Sequence, residues 1–139
     1  ALHDALLTTA STLLADNPRL DVRRWDGPDP KVVVIDRRGI IDAATAPRLR
    51  LFAAGTRPVF MLTPRPLQLP GVENIPITSD TPLTEIMSEL YRRGITSIMT
   101  ECGPRMLQSL IDAGLYDAVR VYTSPRTLGD RGTSPAPVL

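Results

Sequence analysis

Glu101 is the residue that first suggests chemistry: an acid stranded between an apolar run and a Cys-Gly-Pro turn, in the stretch SIMTECGPRML at residues 97–107. The stretch reads as a strand that reaches the turn and then opens a helix. In open α/β sheets ligands sit beyond the carboxyl ends of the strands, where N–H groups at helix N-termini hold anions. Gly103 leaves room for close approach to the backbone, Pro104 suits the first helical position, and the N–H groups of Arg105 and Met106 are expected to be free for a phosphate. A carboxylate beside such a cradle can accept hydrogen bonds from sugar hydroxyls, or it can simply complement the helix dipole. Residue types leave both readings open.

Two other stretches fall in the same setting. Asp36-Arg37-Arg38-Gly39 ends another apolar run, and its two arginines are either a solvated turn or a clamp for the 2′-phosphate that separates NADP from NAD. Thr12 and Asp16 are one helical turn apart, able to present an oxygen pair to one ligand or to serve as ordinary helix-end residues. Arg23, beyond Pro18, either meets a substrate phosphate or stays solvated. His3 has no companion at a metal-ligand spacing, and neither a zinc signature nor a Ser-His-Asp order is present, so no metal is expected. Cys102 is a nucleophile only if a helix N-terminus lowers its thiol pKa; otherwise it is a small buried spacer.

These groups need elements to hold them. Residues 4–9 read as a short strand and 10–15 as a brief helix, which Asn17-Pro18 must end because proline lacks an N–H and biases the residue before it away from helical angles. The stretch 25–31 is a loop by its Gly and Pro content. KVVVID, 31–36, is a continuous β-branched run of the kind buried on both faces of a parallel sheet. Residues 45–54 suggest a helix with Thr45 as N-cap and Pro47 in its first turn. A buried strand is expected over 57–64 and a weaker one over 72–77. Asp80 or Thr81 is placed to cap a helix over 82–93, whose Leu83, Ile86, Met87, Leu90 and Tyr91 share one face, with Gly94 as its stop. A strand at 95–100, a helix at 104–113 ended by Gly114, and a strand at 118–123 complete the alternation. Strands separated by helices predict an α/β domain with a mainly parallel sheet.

Composition narrows the class. At 139 residues and a formal net charge of +1, the chain fits one near-neutral domain. Its apolar fraction of 42% and charged fraction of 22% are ordinary for a globular protein. No apolar run is long enough to span a membrane, and no signal-peptide pattern stands at the start. Scattered charge and few aromatics argue against a nucleic-acid groove. A single cysteine, Cys102, forms no disulfide within the chain and is compatible with a reducing cytoplasm. The chain starts without a lead-in to its first strand and finishes in GDRGTSPAPVL, so it is expected to be one domain, 1–139, cut at both ends from a larger protein.

The strings DALLTTASTLLADNPRLDVR, KVVVIDRRG and TECGPRMLQSLIDAGLYDAVRVYTSPRTLG, in that order, resemble the reductase domain of the bifunctional riboflavin-biosynthesis deaminase-reductase family, RibD. The resemblance implies a three-layer α/β/α fold of the dihydrofolate-reductase type, NADPH as cofactor, and reduction of 5-amino-6-(5-phosphoribosylamino)uracil to its ribitylamino product. It implies cofactor contacts at Thr12, Asp16 and Arg37, and a phosphate-wrapping turn through Gly103, Pro104, Arg105, Met106, Leu107, Gln108 and Ser109. Substrate contacts fall at Leu20, Arg23 and Glu101, with Glu101 at the reacting sugar. A homodimer is implied, as are a zinc deaminase and a first reductase strand upstream of Ala1. The family commonly has a small hydroxyl residue at the position of Arg37, and Gly or Ala at that of Cys102. Two rival readings remain: a pterin or diaminopyrimidine reductase of the same fold, and a nucleotide-binding module without a reaction.

Overall fold

A computed structural model describes residues 3–24, 26–53, 57–127, 129, 132 and 134–139. The chain divides into two compact units, Ala1–Cys102 and Gly103–Leu139.

The first unit holds strands β1 (Ala5–Thr9), β2 (Lys31–Ile35), β3 (Val59–Thr63), β4 (Val72–Pro76) and β5 (Ile98–Thr100), with helices α1 (Ala10–Asp16), α2 (Arg50–Ala53) and α3 (Leu83–Arg92). The strands form one sheet in the order β4-β3-β2-β1-β5, and every pairing is parallel. The predicted α/β class with a parallel sheet is what forms. Leu6, Val32, Val34, Val59 and Met61 share a buried cluster with Ala10, Leu13, Leu20, Ile41, Leu49, Leu51 and Leu67. Their alternates in the strands, Leu7, Val33, Ile35, Phe60 and Leu62, are buried as well. Burial on both faces explains why these strands read as continuous apolar runs.

Chain order along the sheet runs outward from β1 to β4 and then returns, so that β5 lies on the other side of β1. The reversal places a topological switch point between β1 and β5, where open α/β sheets form their ligand crevice.

Several elements differ from expectation, each for a tertiary reason. The helix expected over 45–54 is instead a 3-10 turn, Ala46–Arg48, and then α2, with Leu49 extended between them. The Asn17 side chain donates to the Arg48 carbonyl at 3.2 Å and accepts from the Arg50 N–H at 2.8 Å, taking groups that a continuous helix would pair internally. Thr45 makes no cap; its hydroxyl donates to Asp42 at 2.7 Å. Helix α3 starts after Pro82 without a side-chain cap, because the Thr81 hydroxyl accepts from the Thr78 N–H within the preceding turn. Ile86 and Leu90 are buried as the helical period requires, whereas Tyr91 is 69% exposed. Strand β5 begins three residues late. The Ile95 N–H still serves the end of α3, and those of Thr96 and Ser97 donate to the Asp4 carboxylate.

The second unit contains α4 (Pro104–Asp112), closed at Gly114 with φ 64. Residues 118–123 form no strand, correcting that expectation. Val121 and Tyr122 there are 71% and 87% exposed, and a β-branched segment without a ladder partner gains nothing from extended pairing.

Candidate active site

Thr9 closes β1 and caps α1. Its backbone is extended, and its hydroxyl accepts the Thr12 N–H and meets the hydroxyls of Ser11 and Thr12, each at 3.0 Å. Thr12 is thereby fixed half-buried at the start of α1, at the carboxyl end of β1, with Asp16 exposed one turn later. On the neighbouring strand, the Glu101 N–H donates to the Leu7 carbonyl at 2.8 Å, extending the β1–β5 ladder by one bond. Glu101 is exposed, so the switch point between β1 and β5 carries a solvent-facing carboxylate on a backbone tied to the sheet. Cys102 follows it. Cys102 is half-buried rather than buried, and desolvation pushes its thiol up to about 11, the opposite of what an activated nucleophile needs.

Leu20 and Arg23 lie on the long connection from α1 to β2. The Leu20 side chain is 7% exposed and belongs to the core cluster, and its backbone has φ 55. A small molecule therefore reaches Leu20 only through its backbone. The connection is gripped by buried Arg57, whose guanidinium donates to the carbonyls of Arg19 and Leu20 and lies 3.9 Å from Asp29. Burial lowers the Arg57 pKa from its ordinary value, and Asp29 and Asp21 oppose that shift. Arg23 is exposed, with Nε 3.6 Å from Asp21.

Beyond β2, the Asp36 carboxylate turns inward and accepts the N–H groups of Ile40 and Ile41 at 3.0 and 2.9 Å. Arg37 is already engaged: its Nη1 donates to the carbonyls of Ser79 at 2.8 Å and Thr81 at 2.6 Å. Arg38 is exposed.

In the second unit, Gly103 precedes α4 with φ −67, a value open to any residue. A Cβ built on it would meet nothing within 4 Å. Neither backbone strain nor packing among the described residues demands glycine there. The expectation of two free N–H groups is corrected: Met106 donates to the Gly103 carbonyl at 3.1 Å, as does Leu107 at 3.2 Å. Arg105 keeps the N–H available to an anion. The Gln108 side chain pairs with the Val138 backbone and Asp112, and the Ser109 hydroxyl bonds back to the Arg105 carbonyl at 2.9 Å. A contact from Gln108 or Ser109 to a cofactor would have to displace these bonds or use the backbone.

Sequence reasoning missed Thr9, although a threonine directly before a helical apolar pattern is a recognisable cap signal. It also missed Arg57, which read as an ordinary strand start. Among the described residues no group of acids, histidines and cysteines is arranged to hold a metal.

A parallel sheet whose strand order reverses between β1 and β5 is the architecture of an open α/β domain, a class that binds its ligands beyond the carboxyl ends of its strands. The chain belongs to the family described as the RibD C-terminal domain, which it matches over residues 1–137. It is 33% identical to riboflavin biosynthesis protein RibD of Haemophilus influenzae, over 94% of this chain and 38% of that protein. It is 30% identical to the 2,5-diamino-6-ribosylamino-4(3H)-pyrimidinone 5′-phosphate reductase of Archaeoglobus fulgidus, over 94% of this chain and 66% of that one. Among solved structures it superimposes on a diaminohydroxyphosphoribosylaminopyrimidine deaminase/5-amino-6-(5-phosphoribosylamino)uracil reductase from Thermotoga maritima with a TM-score of 0.68 at 30% identity. That match covers 80% of this chain and 31% of the other. The fold class is accordingly that of the dihydrofolate-reductase-like reductases, and the chain spans between about one third and two thirds of these relatives' lengths.

Proposed function

We propose that the chain is the reductase portion of a riboflavin-pathway enzyme, a C-terminal domain that acts with a deaminase domain upstream. Its reaction is the NADPH-dependent reduction of 5-amino-6-(5-phosphoribosylamino)uracil to the ribitylamino product. The observation that carries this reading is Glu101, held by the β1–β5 ladder at the switch point of a chain matched to the RibD C-terminal domain family over nearly its whole length.

The residues present suit a nicotinamide dinucleotide. In the first unit Thr12 and Asp16 offer oxygens to a ribose; the second unit, taken by itself, offers the Arg105 N–H at the start of α4 to a phosphate. NADPH, when bound, would supply hydride to C1′ of the ring-opened imine, with a proton from solvent completing the amine at nitrogen. The chain supplies alignment. Glu101 accepts hydrogen bonds from the sugar hydroxyls and orients C1′, and Arg23 holds the ribose phosphate at the far end of an elongated substrate.

Changing Glu101 to Gln in the full-length protein should lower kcat at least about tenfold, because misalignment of the reacting carbon is costly. Wild-type turnover would remove Glu101 from the mechanism.

The reductase from A. fulgidus favours a second reading, in which the substrate still carries its 2-amino group and is reduced before deamination. Turnover of the diamino and deaminated substrates, measured side by side, decides between them. Binding of NADPH with no oxidation by either substrate would support the non-catalytic alternative instead.

A further inference from the structure

The connection from α1 to β2, residues 17–30, contains no helix or strand among its described residues. Connections longer than about 12 residues without secondary structure are uncommon in compact domains unless they serve a site. This one is held by a single arginine. Arg57, buried just before β3, donates through Nη1 to the Leu20 carbonyl and through Nη2 to the Arg19 carbonyl. Those carbonyls belong to the two peptide groups on either side of the Leu20 Cα, so one planar fork fixes both. The Asp29 carboxylate continues the arrangement: Oδ1 accepts the Val22 N–H at 2.8 Å, and Oδ2 lies 3.9 Å from Arg57 Nη1. The Arg57–Asp29 pair thus holds three successive peptide groups, 19–20, 20–21 and 21–22.

The conformation held in this way is one the chain resists. Leu20 has φ 55, in the left-handed region where any side chain larger than glycine's meets steric opposition. Arg57 is also a poor choice for stability alone. Its Nε is buried without a hydrogen bond among the described residues, and an apolar side chain of similar volume commonly serves a buried position as well as a charge does. What the guanidinium supplies, and an apolar group does not, is a definite path for the backbone. That path leads into Arg23. Asp21, with only 9% of its side chain exposed, sits between, its Oδ2 2.8 Å from Arg19 Nε and its Oδ1 3.6 Å from Arg23 Nε. The base of the Arg23 side chain is therefore fixed, while its guanidinium stays open to a ligand.

We propose that Arg57 and Asp29 are positioning residues for the substrate's phosphate: by fixing the 19–22 backbone they aim Arg23, and they set affinity for the phosphorylated sugar without touching it. The assignment rests on the reductase reading, in which Arg23 holds the ribose phosphate, and adds to it the residues that make this contact effective. A free connection would have to be ordered when the phosphate binds, at the expense of affinity; the Arg57–Asp29 pair orders it beforehand.

The test is titration calorimetry of ribose 5-phosphate on the full-length protein, with steady-state kinetics on 5-amino-6-(5-phosphoribosylamino)uracil alongside. Wild type is compared with Arg23→Met, Arg57→Met, Arg57→Lys and the double variant Arg23→Met/Arg57→Met. Wild type should bind ribose 5-phosphate, and Arg23→Met and Arg57→Met should each weaken it about tenfold, as expected for one charge-assisted contact. Arg57→Met should raise KM for the pyrimidine by the same factor and leave kcat and the KM for NADPH within about twofold. In the double variant, loss of Arg57 should weaken binding no further, because two residues that act through one contact are not additive. Arg57→Lys, which keeps a donor for the carbonyls, should recover part of the affinity. Asp29→Ala, which frees the Val22 N–H, should weaken ribose 5-phosphate in the same direction but have no effect when Arg23 is already Met, so the prediction stands even where Arg57→Met does not fold. No binding by wild type, unchanged affinity in folded Arg57→Met, or additive losses in the double variant would overturn the assignment. Failure of the reductase reading looks different: ribose 5-phosphate binds with the same dependence on Arg23 and Arg57, but no phosphoribosylaminopyrimidine is reduced.

Discussion

At the scale of single residues, the chemistry of the turn after β5 divides between an exposed acid and a half-buried thiol. The Glu101 side chain faces solvent on a backbone tied to Leu7, while burial raises the Cys102 thiol to about 11. At neutral pH Cys102 is protonated and takes no part as a nucleophile. Cys102→Ala in the full-length protein should leave turnover essentially unchanged, and alkylation of Cys102 by iodoacetamide at pH 8 should be slow in the native state and fast in urea. Rapid native alkylation accompanied by loss of activity would reverse the assignment. Leu20 shows why a residue type alone is a poor guide to contact: its side chain is committed to the core, and only its backbone remains for a ligand.

At the scale of elements, β1 is the strand around which the sheet reverses, and it contains one polar group without a partner. Thr8 is fully buried, and its hydroxyl has no hydrogen bond among the described residues. A buried hydroxyl left unpaired costs stability that an isosteric methyl does not. Thr8→Val should therefore stabilise the protein by about 1 kcal/mol in urea denaturation. A destabilised variant would mean that the hydroxyl has a partner, such as an ordered water. The connection from β2 to β3 shows the reverse influence, of tertiary contact on local structure. Asn17 splits the expected helix by taking the Arg48 carbonyl and the Arg50 N–H, a capture that propensity within residues 45–54 gives no sign of.

At the scale of the whole molecule, the β1–β5 pair is tied at its start as well as at its carboxyl end. The Asp4 carboxylate accepts from the Thr96 hydroxyl at 2.6 Å and from the N–H groups of Thr96 and Ser97, and the Thr96 hydroxyl bond leads in holding its pKa below the usual value. A depressed folded-state pKa contributes stability that is complete above the unfolded value, about 3.9, and is lost as pH falls through the folded one. Asp4→Ala should lower the melting temperature at pH 7, with the difference from wild type narrowing once pH drops below about 4. A difference independent of pH would assign the effect to packing instead. The alternation of strands and helices, the stops at Gly94 and Gly114, and the strings that resemble the RibD reductases were all legible in the amino-acid order, because each depends on residues within a few positions of one another. That information sufficed for the fold class and for Glu101 at a strand end. Only the folded chain decided that β5 lies beside β1, that Arg37 is spent on carbonyls 42 and 44 residues away, and that the Arg65 stem lies over Gly39. Such partners are chosen by the path of the chain through the sheet, and no local propensity encodes which distant donor will meet which acceptor.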